Sequence, residues 1–82
     1  MNSHNLKAAA RLAREASRGR RTIEIVVTEI GVIVRGWTAI GGHRSAQACD
    51  VTWAELSAAE DLASNAVVMV DRRLSAMEGA GA

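Results

Sequence analysis

The sequence contains no phenylalanine, no tyrosine and no proline, and its only aromatic side chains are Trp37 and Trp53. Any core must therefore be built from Ile, Val, Leu, Met and Ala. A domain of this size buries only about 60–65% of the surface that its unfolded chain exposes. Because small aliphatic side chains add little apolar area, worth about 25 cal/mol per Å², we expect a marginally stable monomer and predict a homodimer.

Cysteine and long apolar runs are scarce as well. The single cysteine, Cys49, excludes an internal disulfide framework and predicts a cytoplasmic protein. The longest unbroken apolar run covers only residues 66–70, whereas a membrane-spanning helix needs about 20 residues. The amino terminus lacks the continuous apolar stretch of a secretory signal. The alanine-rich face of the first predicted helix would also insert poorly into a membrane without Trp or Phe anchors, so we expect no membrane partner.

The 82 residues, 49% hydrophobic and 23% charged, are typical of one small globular domain. We predict a single domain over residues 1–82, with frayed ends at residues 1–3 and 79–82. The net charge of +1 conceals a separation of charge along the chain. Residues 1–21 carry six basic side chains and one acidic side chain, whereas residues 50–82 carry two basic and six acidic side chains. The chain therefore has a basic front and an acidic back.

Hydrophobic periodicity predicts an α+β fold: a helix, a three-stranded antiparallel meander and a long C-terminal helix, with the helices on one face of the sheet. Ala and Leu at helical spacing predict the first helix over residues 3–18. Alternating β-branched residues predict three strands, over residues 22–29, 32–40 and 43–51. Gly41-Gly42 is typical of a two-residue hairpin turn between the last two strands.

The C-terminal helix has the clearest start signal in the chain, because Thr52 and Glu55 have the spacing of a capping box. Its apolar positions keep helical phase to residue 77, which also argues against a strand in its valine-rich middle. A continuous helix of about 25 residues would be about 37 Å long, too long for a domain this small. We therefore expect either a break near Ser64-Asn65 or a projecting helix that packs on a partner chain. The residues predicted to form that dimer contact are Val67, Val70, Leu74 and Met77.

The most informative surface is a row of cations on one side of the first helix, opposite its apolar side. This basic stripe consists of Lys7, Arg11, Arg14 and Arg18. Like charges at this spacing destabilise an isolated helix by about 0.2–0.5 kcal/mol per pair, so another group is expected to meet them. Three alternatives remain open. The stripe faces solvent or the chain's own acids Glu60, Asp71 and Glu78, it binds an acidic protein surface, or it binds nucleic-acid phosphates.

Strand alternation defines a second candidate surface, the outer sheet face, which lies opposite the face that meets the helices. The inward set is Ile23, Ile25, Val27, Val32, Val34, Cys49 and Val51. The outer sheet face is Val26, Ile33, Arg35, Trp37, Ala46 and Ala48. A mainly apolar face that contains Trp and Arg has the composition of an interface, and homodimerisation is the form expected here. Trp37 beside Arg35 and Arg44 also suits stacking on single-stranded nucleic acid, but sheet-based RNA readers present two or three aromatic rings.

Residues able to support catalysis are sparse. Neither His4 nor His43 has a second His or Cys at metal-ligand spacing. Cys49 shares a strand face with His43 but lies about 20 Å from it along an extended strand, so a catalytic pair would require residues from two protomers. We therefore predict no catalytic site, no metal, no cofactor and no enzymatic activity.

From Asn2 to Met77 the chain reads as helix, three strands and helix, with segregated charge and no catalytic residues. This outline resembles the small, motif-free proteins that bacteriophages encode to bind and disable host machinery, anti-CRISPR proteins among them. The resemblance implies that the protein binds a larger effector or nuclease and occludes it, and it transfers no functional residue. In this view the acids that could mimic nucleic-acid phosphates are Glu60, Asp61, Asp71 and Glu78.

We therefore expect a small non-enzymatic protein-binding module that inhibits or regulates a larger complex by steric occlusion. The alternative is a small accessory protein that binds nucleic acid through the basic stripe. Nucleic-acid binding that weakens steeply as salt rises would distinguish the second function from the first.

Overall fold

The computed structural model describes the backbone of residues 5–81 and the side chains of residues 5–79. Its elements, in chain order, are α1 (Leu6–Ala16), β1 (Arg21–Val27), β2 (Gly31–Ile40), β3 (His43–Thr52), α2 (Trp53–Ala58) and α3 (Leu62–Gly81). The strands form one antiparallel sheet in the order β1-β2-β3. Side chains of all three helices share one core with a single face of this sheet. The predicted α+β meander flanked by helices is confirmed.

The core is aliphatic and lies between the helices and the sheet. Strand residues such as Val32 and Val34 meet helix residues such as Ala9, Val70 and Leu74, and all of these are buried. Core-facing and outward-facing side chains alternate along the strands as predicted, and the core-facing ones are buried or partly buried. Val27, placed in the inward set from the sequence, is an exception at 63% exposed. It is the last residue of β1, at the end of the strand that the helices do not cover.

α1 ends at Ala16 rather than at the predicted residue 18, because Ser17 leaves the helical conformation. The Ser17 hydroxyl lies 2.6 Å from the carbonyl oxygen of Ala13 and accepts a hydrogen bond from the Ile23 N–H at 2.9 Å. This side chain therefore ties the end of the helix to the edge of β1. At the opposite end of α1, the Asn5 side-chain amide donates to the Glu60 carbonyl oxygen at 3.2 Å.

The turn between β2 and β3 forms where the sequence predicts it. Gly41 and Gly42 have φ values of 55° and 84°, and two successive positive φ angles define the type I′ turn that matches the twist of a hairpin. Ile40 and His43 pair directly on either side of it. The register then continues without interruption to the pair Gly31 and Thr52.

The C-terminal helical region breaks, but at residues 59–61 rather than at the predicted Ser64-Asn65. The capping box forms: the Glu55 N–H donates to the Thr52 hydroxyl at 3.1 Å, and the Thr52 N–H donates to the Glu55 carboxylate at 2.9 Å. α2 lasts only six residues, because Ala59 takes an extended conformation. The new helix then starts beside Asp61, a residue type favoured at helix N-caps.

The break lets α3 lie along the sheet instead of projecting from it. Val67, Val70 and Leu74 are at most 1% exposed, and Met77 packs partly buried against the same core. The assignment of Val67, Val70 and Leu74 to a dimer contact is therefore wrong, because the chain's own core covers them, whereas for half-buried Met77 it stays a prediction. α3 continues past the predicted end of the helix to Gly81. No helix in residues 5–81 is long and apolar enough to cross a bilayer.

Candidate functional site

The strand register brings the six predicted residues of the outer sheet face together. Trp37 pairs with Ala46, Arg35 with Ala48, and Ile33 with Val26. The helices pack on the opposite face, so no described element covers this one. The same alternation adds Arg44 and Asp50 to the face, because they share the parity of Ala46 and Ala48 on β3. The position of the face is thus established, while its use as an interface stays a prediction.

Trp37 is half-buried and lies on the central strand of this face. The Arg44 guanidinium carbon lies 5.3 Å from the centre of its ring, within the range of a cation–π contact. The residue directly opposite on β3, Ala46, is small and exposed. Part of the Trp37 ring therefore stays accessible beside a cation, and Trp and Arg are enriched at interface hot spots.

The charges on the outer sheet face are partly paired. Arg35 and Glu24 face each other across β1 and β2 and form an ion pair. Both side chains are more than a third exposed, so the pair adds only about 0–1 kcal/mol to stability. It contributes to the surface mainly as a polar margin beside Trp37.

At one end the outer sheet face continues into a small apolar groove of about 240 Å³ at the β1–β2 turn. Ile33 and Asp50 belong to both the face and the groove. Ile30, at the tip of the turn, is 77% exposed. Val27 and Ile30 are two of the three large hydrophobic side chains that are exposed among the described residues, and both lie at this end of the molecule.

The basic stripe lies on the side of α1 that faces away from the core. Ala9 and Ala13 are buried, whereas Lys7, Arg11 and Arg14 are exposed. Arg18 is also exposed, but it lies after the helix end, in the connection to β1. Within the described residues, none of the four cations of the basic stripe takes part in an ion pair. Their charge is therefore left for solvent or for a partner.

Two acidic residues of α3 bind a different cation, Arg21. Its guanidinium forms ion pairs with Asp71 and Glu78 of α3 and donates to the Ser75 hydroxyl at 3.0 Å. Glu78 also accepts a hydrogen bond at 2.6 Å from the hydroxyl of Thr38, the one buried polar residue described. The hydrogen bond with Glu78 raises the pKa of Arg21, and the hydrogen bonds from Arg21 and then Thr38 lower the pKa of Glu78. Asp71 and Glu78 thus pair with Arg21 and not with a cation of the basic stripe.

Charge counting along the sequence did not single out this network. Asp71 and Glu78 are seven residues apart, so they project from the same side of a helix. That spacing is visible in the sequence, but Arg21 is about fifty residues away from these acids along the chain. Only the docking of α3 beside the start of β1 brings the three charges together.

The groups considered for catalysis remain apart. His43 begins β3 and is exposed, whereas Cys49 lies six residues further along the same strand and packs half-buried against the core. His4 lies outside the described residues. Across the described side chains, no cluster of three or more His, Cys, Asp or Glu is placed to hold a metal ion.

Comparisons with protein-family models, with curated proteins and with solved structures found no match to this chain.

Proposed function

We propose that the protein is a non-enzymatic, cytoplasmic binding module that inhibits or regulates a larger protein by occluding one of its surfaces. The observation that carries this proposal is the uncovered outer sheet face. It presents Trp37 with Arg44 beside it, and it runs into the exposed apolar turn around Ile30.

The composition of this face suits a protein partner better than a nucleic acid. It offers one aromatic ring, whereas sheets that bind single-stranded RNA stack two or three bases on aromatic residues. Its charges are mixed, because Arg35 is paired with Glu24 and Asp50 lies on the same face as Arg44. An apolar patch with an aromatic anchor and a polar margin is the composition of a protein-binding surface.

Occlusion is a mode of action that the dimensions of the chain allow. A compact unit with principal dimensions of 44 × 21 × 16 Å blocks access to whatever surface it covers, without needing to change it chemically. The resemblance to small phage-encoded inhibitors, anti-CRISPR proteins among them, supports the same mode of action. A CRISPR effector or another defence complex is therefore the class of target we propose.

The proposal is tested by affinity capture at physiological salt from lysate of cells in which the protein acts. We expect one protein or complex to be retained by the wild type and by Arg72→Ala, which changes an exposed residue of α3. Trp37→Ala should lose it, while circular dichroism shows that the fold is kept. Equal retention by all three proteins would contradict a role for the outer sheet face. Retention of no protein by the wild type would contradict the function itself.

A second candidate function, nucleic-acid binding, is favoured by a separate observation. The four cations of the basic stripe are exposed and take part in no ion pair within the described chain. If each neutralises one phosphate, the logarithm of the binding constant should fall with the logarithm of salt concentration with a slope of about −3.6.

Fluorescence anisotropy with labelled DNA and RNA duplexes at low salt tests this second function. Reversing the charges of Arg11 and Arg14 to Glu should abolish binding. The matched control reverses Arg72 and Arg73, which are exposed on α3 and carry the same total charge. Equal loss in both variants would indicate a general effect of net charge, and no binding by the wild type would exclude the basic stripe as a nucleic-acid site.

A further inference from the structure

β3 forms one edge of the three-stranded sheet, and that edge is open. Among the described residues, the Thr52 N–H is the only backbone donor of this strand with a hydrogen-bond partner outside the ladder with β2, the Glu55 carboxylate. The opposite edge is partly closed, because the Ser17 hydroxyl contacts both the N–H and the carbonyl oxygen of Ile23. The two edges of the sheet are therefore not equivalent.

Two hydrogen bonds show which backbone groups of β3 face outward. The Trp53 N–H, one residue beyond the strand, donates to the Ile30 carbonyl oxygen at 3.1 Å and so faces β2. The Thr52 N–H donates to Glu55 and so faces away from β2. Because backbone groups alternate along an antiparallel strand, the even-numbered residues of β3 present their N–H and C=O groups to the open edge. These residues are Arg44, Ala46, Ala48 and Asp50.

This edge has few of the features that usually prevent strand pairing. Edge strands are commonly protected by charged side chains (lysine above all), proline, bulges or very short length, and of these β3 has only the charges of Arg44 and Asp50. β3 has ten residues with no proline and no lysine. Its register with β2 is continuous from Thr52 to His43, so it contains no bulge. A strand of this length and regularity is suited to accept another strand.

Two opposite charges on β3 lie equally far from Gln47 along the strand. Arg44 lies three residues before it and Asp50 three residues after it, and both side chains belong to the outer sheet face. In an antiparallel pair of two β3 strands with a two-fold axis at Gln47, each Arg44 faces the Asp50 of the second copy. Any other register that keeps the backbone groups in phase loses both of these ion pairs. Opposite charges facing each other stabilise strand pairs, and like charges destabilise them.

We propose that a second copy of this chain pairs with β3 in this register. The two sheets then form one six-stranded antiparallel sheet with the helices of both copies on the same side. A two-fold axis makes such an interface self-complementary. The sequence predicted a homodimer through the outer sheet face; this proposal places the contact at the edge of β3 instead, and it does not depend on the proposed function.

The pairing also joins the two outer sheet faces. One face is about 14 Å wide and about 33 Å long from strand spacing and rise, or about 450 Å², whereas a standard interface buries about 800 Å² per partner. Two joined faces reach that size and carry both Trp37 side chains on one surface. Dimerisation would thus enlarge the surface without covering it.

The first test is a charge exchange, read as molecular mass in solution by sedimentation over the widest accessible range of protein concentration. Arg44→Asp and Asp50→Arg each put like charges opposite each other twice in the dimer, so each should weaken dimerisation by about tenfold or more. The double variant restores opposite charges and should restore the dimer. It also lacks the Arg44–Trp37 contact, so its recovery would not depend on that contact. Arg72→Asp is the control with the same change of charge on α3.

The second test fixes the register and does not need the charge variants to fold. In a Cys49→Ser background, Gln47→Cys places two thiols opposite each other in a pair without hydrogen bonds, with Cα atoms about 4.5 Å apart. This separation lies within the range of about 4.4–6.8 Å that a disulfide spans. The control, Ala48→Cys in the same background, faces residue 46 of the second copy and should cross-link poorly.

A dimer that the single variants weaken, that the double variant restores and that cross-links through residue 47 supports the proposal. Several results would overturn it: a wild-type monomer at every concentration, a dimer insensitive to both single charge reversals, or preferential cross-linking through residue 48. A wild-type monomer whose β3 edge accepts a strand of another protein would also overturn it.

Discussion

Gly36 of β2 and Leu74 of α3 lie next to each other in the core. A substitution that enlarges residue 36 and one that shortens residue 74 should therefore have effects on the free energy of unfolding that are not additive. Leu74 is fully buried. A Cβ atom added at Gly36 would lie 3.0 Å from Leu74 Cδ1, 3.0 Å from Ile23 Cγ1 and 3.0 Å from the Thr22 carbonyl oxygen. The missing side chain at residue 36 therefore lets α3 lie close to β2.

The expected magnitudes follow from these contacts. Leu74→Ala removes three buried carbons, about 2.4 kcal/mol of transfer free energy, and the cavity raises the total cost to about 3–4 kcal/mol. Gly36→Ala adds one crowded carbon, which costs about 1–3 kcal/mol and is offset by about 0.5–1 kcal/mol because glycine is unfavourable in a strand. In the Leu74→Ala background the Cδ1 contact disappears, so Gly36→Ala should cost about 1 kcal/mol less there than in the wild type.

The assay is equilibrium unfolding in urea, followed by far-ultraviolet circular dichroism and tryptophan fluorescence. An 82-residue domain is expected to have a free energy of unfolding of about 4–12 kcal/mol, so the Leu74→Ala loss should be a large fraction of it. Gly79→Ala is the control, because it adds a methyl group in a helix where no atom lies within 4 Å. It should be neutral or slightly stabilising. A Leu74→Ala cost below about 1 kcal/mol, or additive effects of the two substitutions, would refute the packing argument.

Three further predictions concern local contacts. Gly31→Ala should prevent normal pairing of β2 and β3, because the new Cβ atom would overlap the backbone of β3; intact hairpin protection in amide hydrogen exchange would contradict this. Thr52→Ala should lower the free energy of unfolding by about 1 kcal/mol, while Thr52→Ser keeps the hydroxyl that caps α2 and should cost less in urea titrations. Since Arg21 and then Thr38 lower the pKa of Glu78, its ionised form stabilises the fold above the ordinary glutamate pKa, and this stability is lost as pH falls through the lowered value. Glu78→Gln should therefore reduce the acid dependence of the urea midpoint, and an unchanged dependence would contradict the link.

The elements predicted from the sequence were those with short-range signals. The helix, the three strands and the Gly41-Gly42 turn depend on residue spacing of two to four positions, and the structure contains all of them. The position of the outer sheet face followed from the same alternation once the register was continuous. The capping box at Thr52 and Glu55 likewise involves neighbours in sequence and forms as expected.

The helix break shows where such signals are insufficient. The apolar positions on both sides of residues 59–61 keep the same helical phase, so periodicity gave no sign of the break there. Asp61 was a local indication, because it is a residue type that favours helix starts. The deciding factor is packing: turning the chain at Ala59 allows Val67, Val70 and Leu74 to be buried on the sheet.

By itself, the sequence determined the type and order of the elements, the hairpin turn and the side chains on each sheet face, since these depend on near neighbours. Tertiary structure decided which cation pairs with Asp71 and Glu78 of α3: Arg21 does, and the basic stripe is left exposed. It also left one sheet edge open and partly closed the other through Ser17. The reason is physical: a charge or a strand edge is satisfied by groups that folding brings near, and their separation in sequence carries no information about that distance.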